Sequence, residues 1–330
     1  MRLSFFLFAL PLLAQSAAEY AALGARLLEA DRPAEAQAAF ANSLRLNPAE
    51  FEAIAGIGFL HFARNQFAHA RPYLEKAVTA RPQSFQARFL LGATLVQLQQ
   101  PKAAIAHLRL AVIRNPAHQD ARKLLASQLL ETRQYRDAIT ILQPVVETPP
   151  FDEEVHLLLI EARQAAADTA AAFALAQKAA ARFPGSAQVL AWLGFQLQFA
   201  GRYEEAKLPL QRALELDPAF PIPMQLLGEV FLKEENYPEA IQWLTRAARN
   251  MPDDTETLLA LSRAQSESGA IQQALETLAR TAQTDARVHL QLSRLYFRLG
   301  DEAKARQSAD LSVQLRDKQP AAPVSTLRRR

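Results

Sequence analysis

The 330-residue chain contains no cysteine, three methionines, two tryptophans and only ten glycines. Without cysteine it can form neither a disulfide nor a cysteine-ligated zinc site. That suits an oxidising compartment without requiring one. Aromatic residues make up 8% of the chain although 50% of it is hydrophobic. Strand-like alternation of apolar and polar residues is missing at any length. Together these point to an alanine-rich, all-helical protein. A glycine-rich phosphate loop and an HExxH zinc motif are also missing. None of the six histidines sits at a ligand or triad spacing. His61 and His69 fall on different helices, and His107 and His118 straddle a helix end. Each histidine reads as a surface or half-buried residue. No catalytic residue, metal or cofactor is expected. Nucleic acid is not an expected partner either, because no basic stripe interleaved with aromatics runs along the chain.

What the chain does have is a period. Pro48, Pro82, Pro116, Pro150, Pro184, Pro218 and Pro252 are each 34 residues from the last. Self-similarity at a fixed period marks a solenoid. The clearest unit is Ala187–Phe220. Val189, Leu190, Leu193, Leu197 and Phe199 recur at helical spacing, and Gly201 interrupts them. Tyr203, Ala206, Leu210, Ala213 and Leu214 repeat the pattern until Asp217-Pro218 stops it. Each unit is therefore two helices.

Numbered from the start of each unit, position 4 is apolar. Positions 7 and 8 are commonly Leu-Gly, position 20 is alanine, position 24 is large and position 32 is proline. Gly24, Gly58, Gly92, Gly194 and Gly228 all hold position 8. A glycine inside a helix costs about 1 kcal/mol relative to alanine. A recurring cost at one position implies close approach of the second helix. Position 20 is alanine in every unit, from Ala36 to Ala305.

In period and residue types the chain closely resembles the tetratricopeptide repeat family. The resemblance covers residues 17 to about 315. It implies an all-α, right-handed α-solenoid of about nine stacked helix–turn–helix repeats. The units begin near residues 17, 51, 85, 119, 153, 187, 221, 255 and 286, so residues 19–315 form the solenoid. Repeat 4 is looser, with Pro144 late in its second helix. Repeat 5 departs most: Ile160 holds the glycine position and Ala176 the large one. Less apolar volume is expected there, making it the softest joint.

The two ends differ from the repeats. Residues 1–18 read as a secretory signal peptide: Arg2, an apolar run from Leu3 to Leu13, then small residues at Ala14-Gln15-Ser16 or Ser16-Ala17-Ala18. About eleven apolar residues are too few to cross a bilayer of roughly 30 Å. An exported protein, periplasmic or secreted, is expected, with no membrane span after cleavage. The competing reading is a hydrophobic N-terminal helix that caps the stack. Arg316–Arg330 reads as a disordered tail. It holds five basic residues and one acidic, so the net +3 of the whole chain leaves −1 for residues 1–315. Such a tail is either merely solvated or touches an acidic partner or membrane surface.

The resemblance also implies a site. In this family a concave surface, lined by first-helix positions 2, 5, 9, 12 and 13, commonly grips a partner protein or peptide. Carried onto this chain, it presents Phe59, Phe62, Phe89 and Val96, then Phe195 and Phe199. Towards the C-terminal end it presents Arg263, Arg287, Arg294, Arg298 and Phe297, with Lys123, Glu131, Glu154 and Glu161 between. That arrangement would suit an extended partner with an apolar anchor and an acidic part. Phe59, Phe62, Phe89 and Phe195 could equally pack between neighbouring first helices. Family members that clamp a C-terminal carboxylate use lysine, arginine and asparagine at positions 5 and 9. Here position 5 is mostly apolar and position 9 carries no asparagine. The expected role is a non-catalytic scaffold. The alternative is an assembly subunit of an envelope complex that works through its repeat ends or tail.

Overall fold

The computed structural model describes residues 16–279, 281 and 284–316. The body of the expected leader, residues 1–15, and residues 317–330 of the expected tail lie outside them. The described residues form eighteen α-helices and no strand. They divide into two compact units, one ending at Leu142 and the other beginning at Gln143.

Unit 1 holds four helix pairs: α1 (Ala17–Glu29) with α2 (Pro33–Leu46), α3 (Phe51–Ala63) with α4 (Phe67–Ala80), α5 (Phe85–Gln97) with α6 (Pro101–Arg114), and α7 (Gln119–Glu131) with α8 (Tyr135–Leu142). Unit 2 holds five: α9 (Glu153–Ala165) with α10 (Thr169–Arg182), α11 (Ala187–Phe199) with α12 (Tyr203–Leu216), α13 (Pro221–Lys233) with α14 (Tyr237–Asn250), α15 (Thr255–Glu267) with α16 (Ile271–Ala279), and α17 (Ala286–Arg298) with α18 (Glu302–Arg316). Helix α18 thus takes in Arg316, placed in the tail on sequence grounds. Helix α8 stops after eight residues, just before Pro144. A proline there removes a backbone donor and clashes with the preceding turn.

Helix starts and stops have local causes. Ser16 and Glu19 form a reciprocal capping box at α1. Ser84, Asp152, Ser186 and Asp254 accept a backbone N–H at the starts of α5, α9, α11 and α15. Position 15 then turns the chain. It has positive φ in every pair, whether glycine (Gly201, 74°) or not (Asp31, 54°; Ala167, 63°). The next residue's N–H reaches back to a carbonyl five residues earlier, as Arg202 does to Leu197 at 2.9 Å.

Within each unit every first helix packs against its own second helix, the preceding second helix and the preceding first helix. Second helices show no close backbone approach to one another among the described residues, although Arg109 of α6 forms an ion pair with Asp137 of α8. First helices therefore line the inner side of each stack and second helices the outer, and contacts run only between neighbours. The core lies between the two layers. Ala36, Ala70, Ala104, Ala138, Ala172, Ala206, Ala240 and Ala274 are wholly buried at position 20.

Repeat 5, expected to be the softest joint, fills its core differently from its neighbours. Ile160 and Ala176 are both fully buried, and α9 buries Leu158, Leu159 and Ile160 together. The apolar volume given up at Ala176 is supplied from the first helix instead.

Candidate functional site

Among the described residues of unit 2, two adjoining cavities lie along the first-helix side. One, of about 1080 Å³, is lined from α15, α17 and α18, by Arg263, Arg294, Phe297, Arg298 and Arg306 among others. The second, of about 310 Å³, is lined from α11, α13, α15 and α17, including Gln198, Lys233, Arg263, Arg287 and Arg294. Arg263 and Arg294 belong to both. They occupy position 9 of successive repeats, so one lattice position puts both side chains on the same side.

The arginines are not equivalent. Arg287 is locked to Asp285, at 2.7 Å, and to Glu256. Its hydrogen bond to Asp285 raises the guanidinium pKa and holds the Asp285 carboxyl below its ordinary value. Arg298 donates to Ser266 Oγ at 2.7 Å and lies 3.5 Å from Glu267. Arg306 lies 3.2 Å from Glu302. Arg263 and Arg294 have no hydrogen-bond or ion-pair partner among the described residues, and neither has Lys233. The carboxylate of Glu229, on the wall of the smaller cavity, accepts from the side-chain amides of Gln198 and Gln225, each at 2.9 Å.

Among the expected aromatic residues, Phe199 and Phe297 are open to solvent, at 60% and 71% exposure. Phe195 is not: it is buried, edge-on against Trp192 at 5.6 Å. It belongs to the core, though its ring still lies 6.3 Å from Phe199. In unit 1, Phe59, Phe62, Phe89 and Val96 are half-buried. Phe62 meets Phe67 edge-on at 5.6 Å, and Phe89 stacks on Phe85 and meets His118 at a tilt, 5.0 Å away. These rings are partly spent on helix packing. Glu161, expected in the groove, is buried. Lys123 pairs with Asp120 at 3.2 Å, and Glu131 and Glu154 are exposed.

The histidines need correction too. His156 and His289 are buried, not superficial. Both hold position 4, the apolar position of the repeat, and that was the signal for their burial. His61 and His69, on separate helices, stack at 5.7 Å, because α3 and α4 are one pair. His118 caps α7 by accepting from the Ala121 N–H at 3.2 Å. Among the described residues no group of three or more histidine, cysteine or acidic side chains is placed to hold a metal, and no helix is long and apolar enough to cross a membrane.

Lys233 and Arg306 were not among the expected site residues. Lys233 stands at position 13 of repeat 7, so the same lattice would have found it. Arg306 is on a second helix, where a lattice drawn for first helices does not look.

Comparison with known proteins bears on the fold. Tetratricopeptide repeat models match residues 123–187, 200–264, 231–287 and 286–319, together more than half of the chain. A model of anaphase-promoting complex, cyclosome, subunit 3 matches residues 63–145. No curated protein matches the sequence. A tetratricopeptide repeat protein from Parabacteroides merdae superposes with a TM-score of 0.53 at 13% identity, over 76% of this chain and 99% of its own. Human IFIT1, solved as a dimer with m7Gppp-AAAA, gives 0.57 at 15% identity, over 93% and 80%. Identities this low speak for the fold alone.

Proposed function

We propose that this chain, which belongs to the tetratricopeptide repeat family, is a non-catalytic scaffold that holds a partner protein or peptide against the first-helix side of its repeats. Repeats of this family generally mediate protein–protein interaction. The finer reading rests on one observation: two adjoining cavities on that side of unit 2 share Arg263 and Arg294. Exposed Phe297 stands in the wall of the larger one. Clefts with a few convergent polar groups and an apolar anchor are where ligands dock. We place the protein outside the cytoplasm, exported by its N-terminal leader and working as the mature chain from residue 19.

The test is affinity capture from cell-envelope extract with the parent and with Phe199→Glu/Phe297→Glu. Both rings are exposed, so the fold should survive, and circular dichroism checks that it does. A partner held by the parent and lost by the variant supports the groove. Equal capture by both would move attention to the repeat ends and the arginine-rich tail, the sites of the assembly-subunit alternative.

A further inference from the structure

The cations on the first-helix side of unit 2 fall into two sets. Arg287, Arg298 and Arg306 are each held by carboxylates of the same unit. Lys233, Arg263 and Arg294 have no partner among the described residues. These three come from successive first helices, α13, α15 and α17. Of the carboxylates on the cavity walls, Glu256, Glu267 and Glu302 pair with arginines, whereas Glu229 accepts from two glutamine amides, which do not cancel its charge. The cavity walls therefore carry an excess of positive charge, the three unheld cations outnumbering the one remaining carboxylate, Glu229. A cleft lined by charge of one sign focuses its field and draws in the opposite charge. A free guanidinium offers a planar fork that fits a carboxylate.

The geometry points to an internal acidic segment of a partner polypeptide. We propose that Lys233, Arg263 and Arg294 bind the side-chain carboxylates of such a segment, and that Phe297 receives one of its apolar residues. The proposal rests on the groove reading above and sharpens it. Packed helices lie roughly 8–10 Å apart, and an extended chain advances about 3.3 Å per residue. Acidic residues about three positions apart would meet cations on neighbouring helices. No chain terminus is needed, so blocking the partner's C-terminal carboxylate should not matter.

The experiment uses the full chain and a fluorescent dodecapeptide, Glu-Leu-Ser repeated four times, acetylated and amidated at its ends. Fluorescence anisotropy should show binding that weakens as salt rises. A lysine version of the peptide should not bind. Arg263→Gln/Arg294→Gln should weaken binding at least tenfold, and Arg263→Glu/Arg294→Glu should switch preference to the lysine peptide. Both arginines are exposed, and circular dichroism checks each variant. Failure of the glutamate peptide to bind the parent, or equal binding by the glutamine variant, overturns the proposal. So does binding of a single-stranded RNA decamer in place of the peptide. If the peptide fails while capture still depends on Phe199 and Phe297, the cationic strip falls and the groove stands. If both fail, the groove reading falls with it.

Discussion

Leu210 lies so close to Gly194 that a β-carbon on the glycine would sit 2.5 Å from Leu210 Cγ. The same relation joins Gly58 to Leu74, Gly92 to Leu108 and Gly228 to Leu244. In repeat 5 the sizes are exchanged: Ile160 takes the glycine position, Ala176 the leucine position, and both are fully buried. One volume is thus divided in two ways between positions 8 and 24. Ile160→Gly alone leaves a cavity and should cost about 3–5 kcal/mol. Ala176→Leu alone overfills the space, at about 1–3 kcal/mol. The double substitution restores the division used in repeat 6. It should be less destabilising than the sum of the two by about 2 kcal/mol. Urea unfolding of the four proteins checks this, and strict additivity would sink it. Because the volume is redistributed, amide exchange over α10 should be as slow as over α12.

The repeat lattice was legible in the sequence because each constraint recurs. One glycine at position 8 is an anecdote, whereas five are a packing rule. Depth was harder to read. Phe195 and Phe297 both sit on lattice positions, 9 and 12, yet one is buried against Trp192 and the other is 71% exposed. Phe297 lies on α17, the last first helix among the described residues. Pairing was hardest of all. Arg287 and Arg294 both sit on lattice positions of one helix, yet Asp285 at its start and Glu256 from the preceding first helix hold Arg287 and leave Arg294 free.

The turn residues give a second prediction. Ala167 has φ 63° and Gly201 φ 74° at the same repeat position. The left-handed region costs an L-residue roughly 1–2 kcal/mol, and glycine gives back about half of that through its greater freedom when unfolded. Ala167→Gly should therefore stabilise by up to about 1 kcal/mol, and Gly201→Ala should destabilise by a similar amount. Thermal unfolding reads both. Shifts of the same sign would show that something besides backbone conformation governs the turn.

Phe40 explains the one helical glycine that lies off the lattice. A β-carbon at Gly56 would meet Phe40 Cε2 at 2.5 Å, while one at Gly24 would meet Cε1 at 2.5 Å. The ring is 1% exposed and wedged between the two backbones. Gly56→Ala should destabilise unit 1 by about 1–3 kcal/mol through overpacking. Phe40→Leu should recover part of that loss in the double variant, since leucine is the size used opposite Gly58 and Gly92. If the double variant is worse than Gly56→Ala alone, the ring is not what excludes a methyl group at residue 56.

Asp285 gives a pH dependence whose sign is fixed. Its carboxylate caps α17 by accepting the Arg287 backbone N–H at 2.8 Å, and it accepts from the Arg287 guanidinium at 2.7 and 3.1 Å. The guanidinium bond is the largest cause holding its pKa below the ordinary value, with nearby His289 adding in the same direction. A carboxylate depressed in the folded state contributes stability above its unfolded value, near 4. That contribution is lost as the pH falls through the lower folded value. Protection of α17 amides, corrected for intrinsic exchange, should hold from pH 7 to about 5 and drop below about 4. Asp285→Asn keeps an oxygen to cap the helix but has no charge to lose. It should be less protected than the parent at pH 7 and nearly flat through the acid range. An equal acid drop in the variant would assign the effect to another carboxylate, with Glu256, the other partner of Arg287, as the first to substitute.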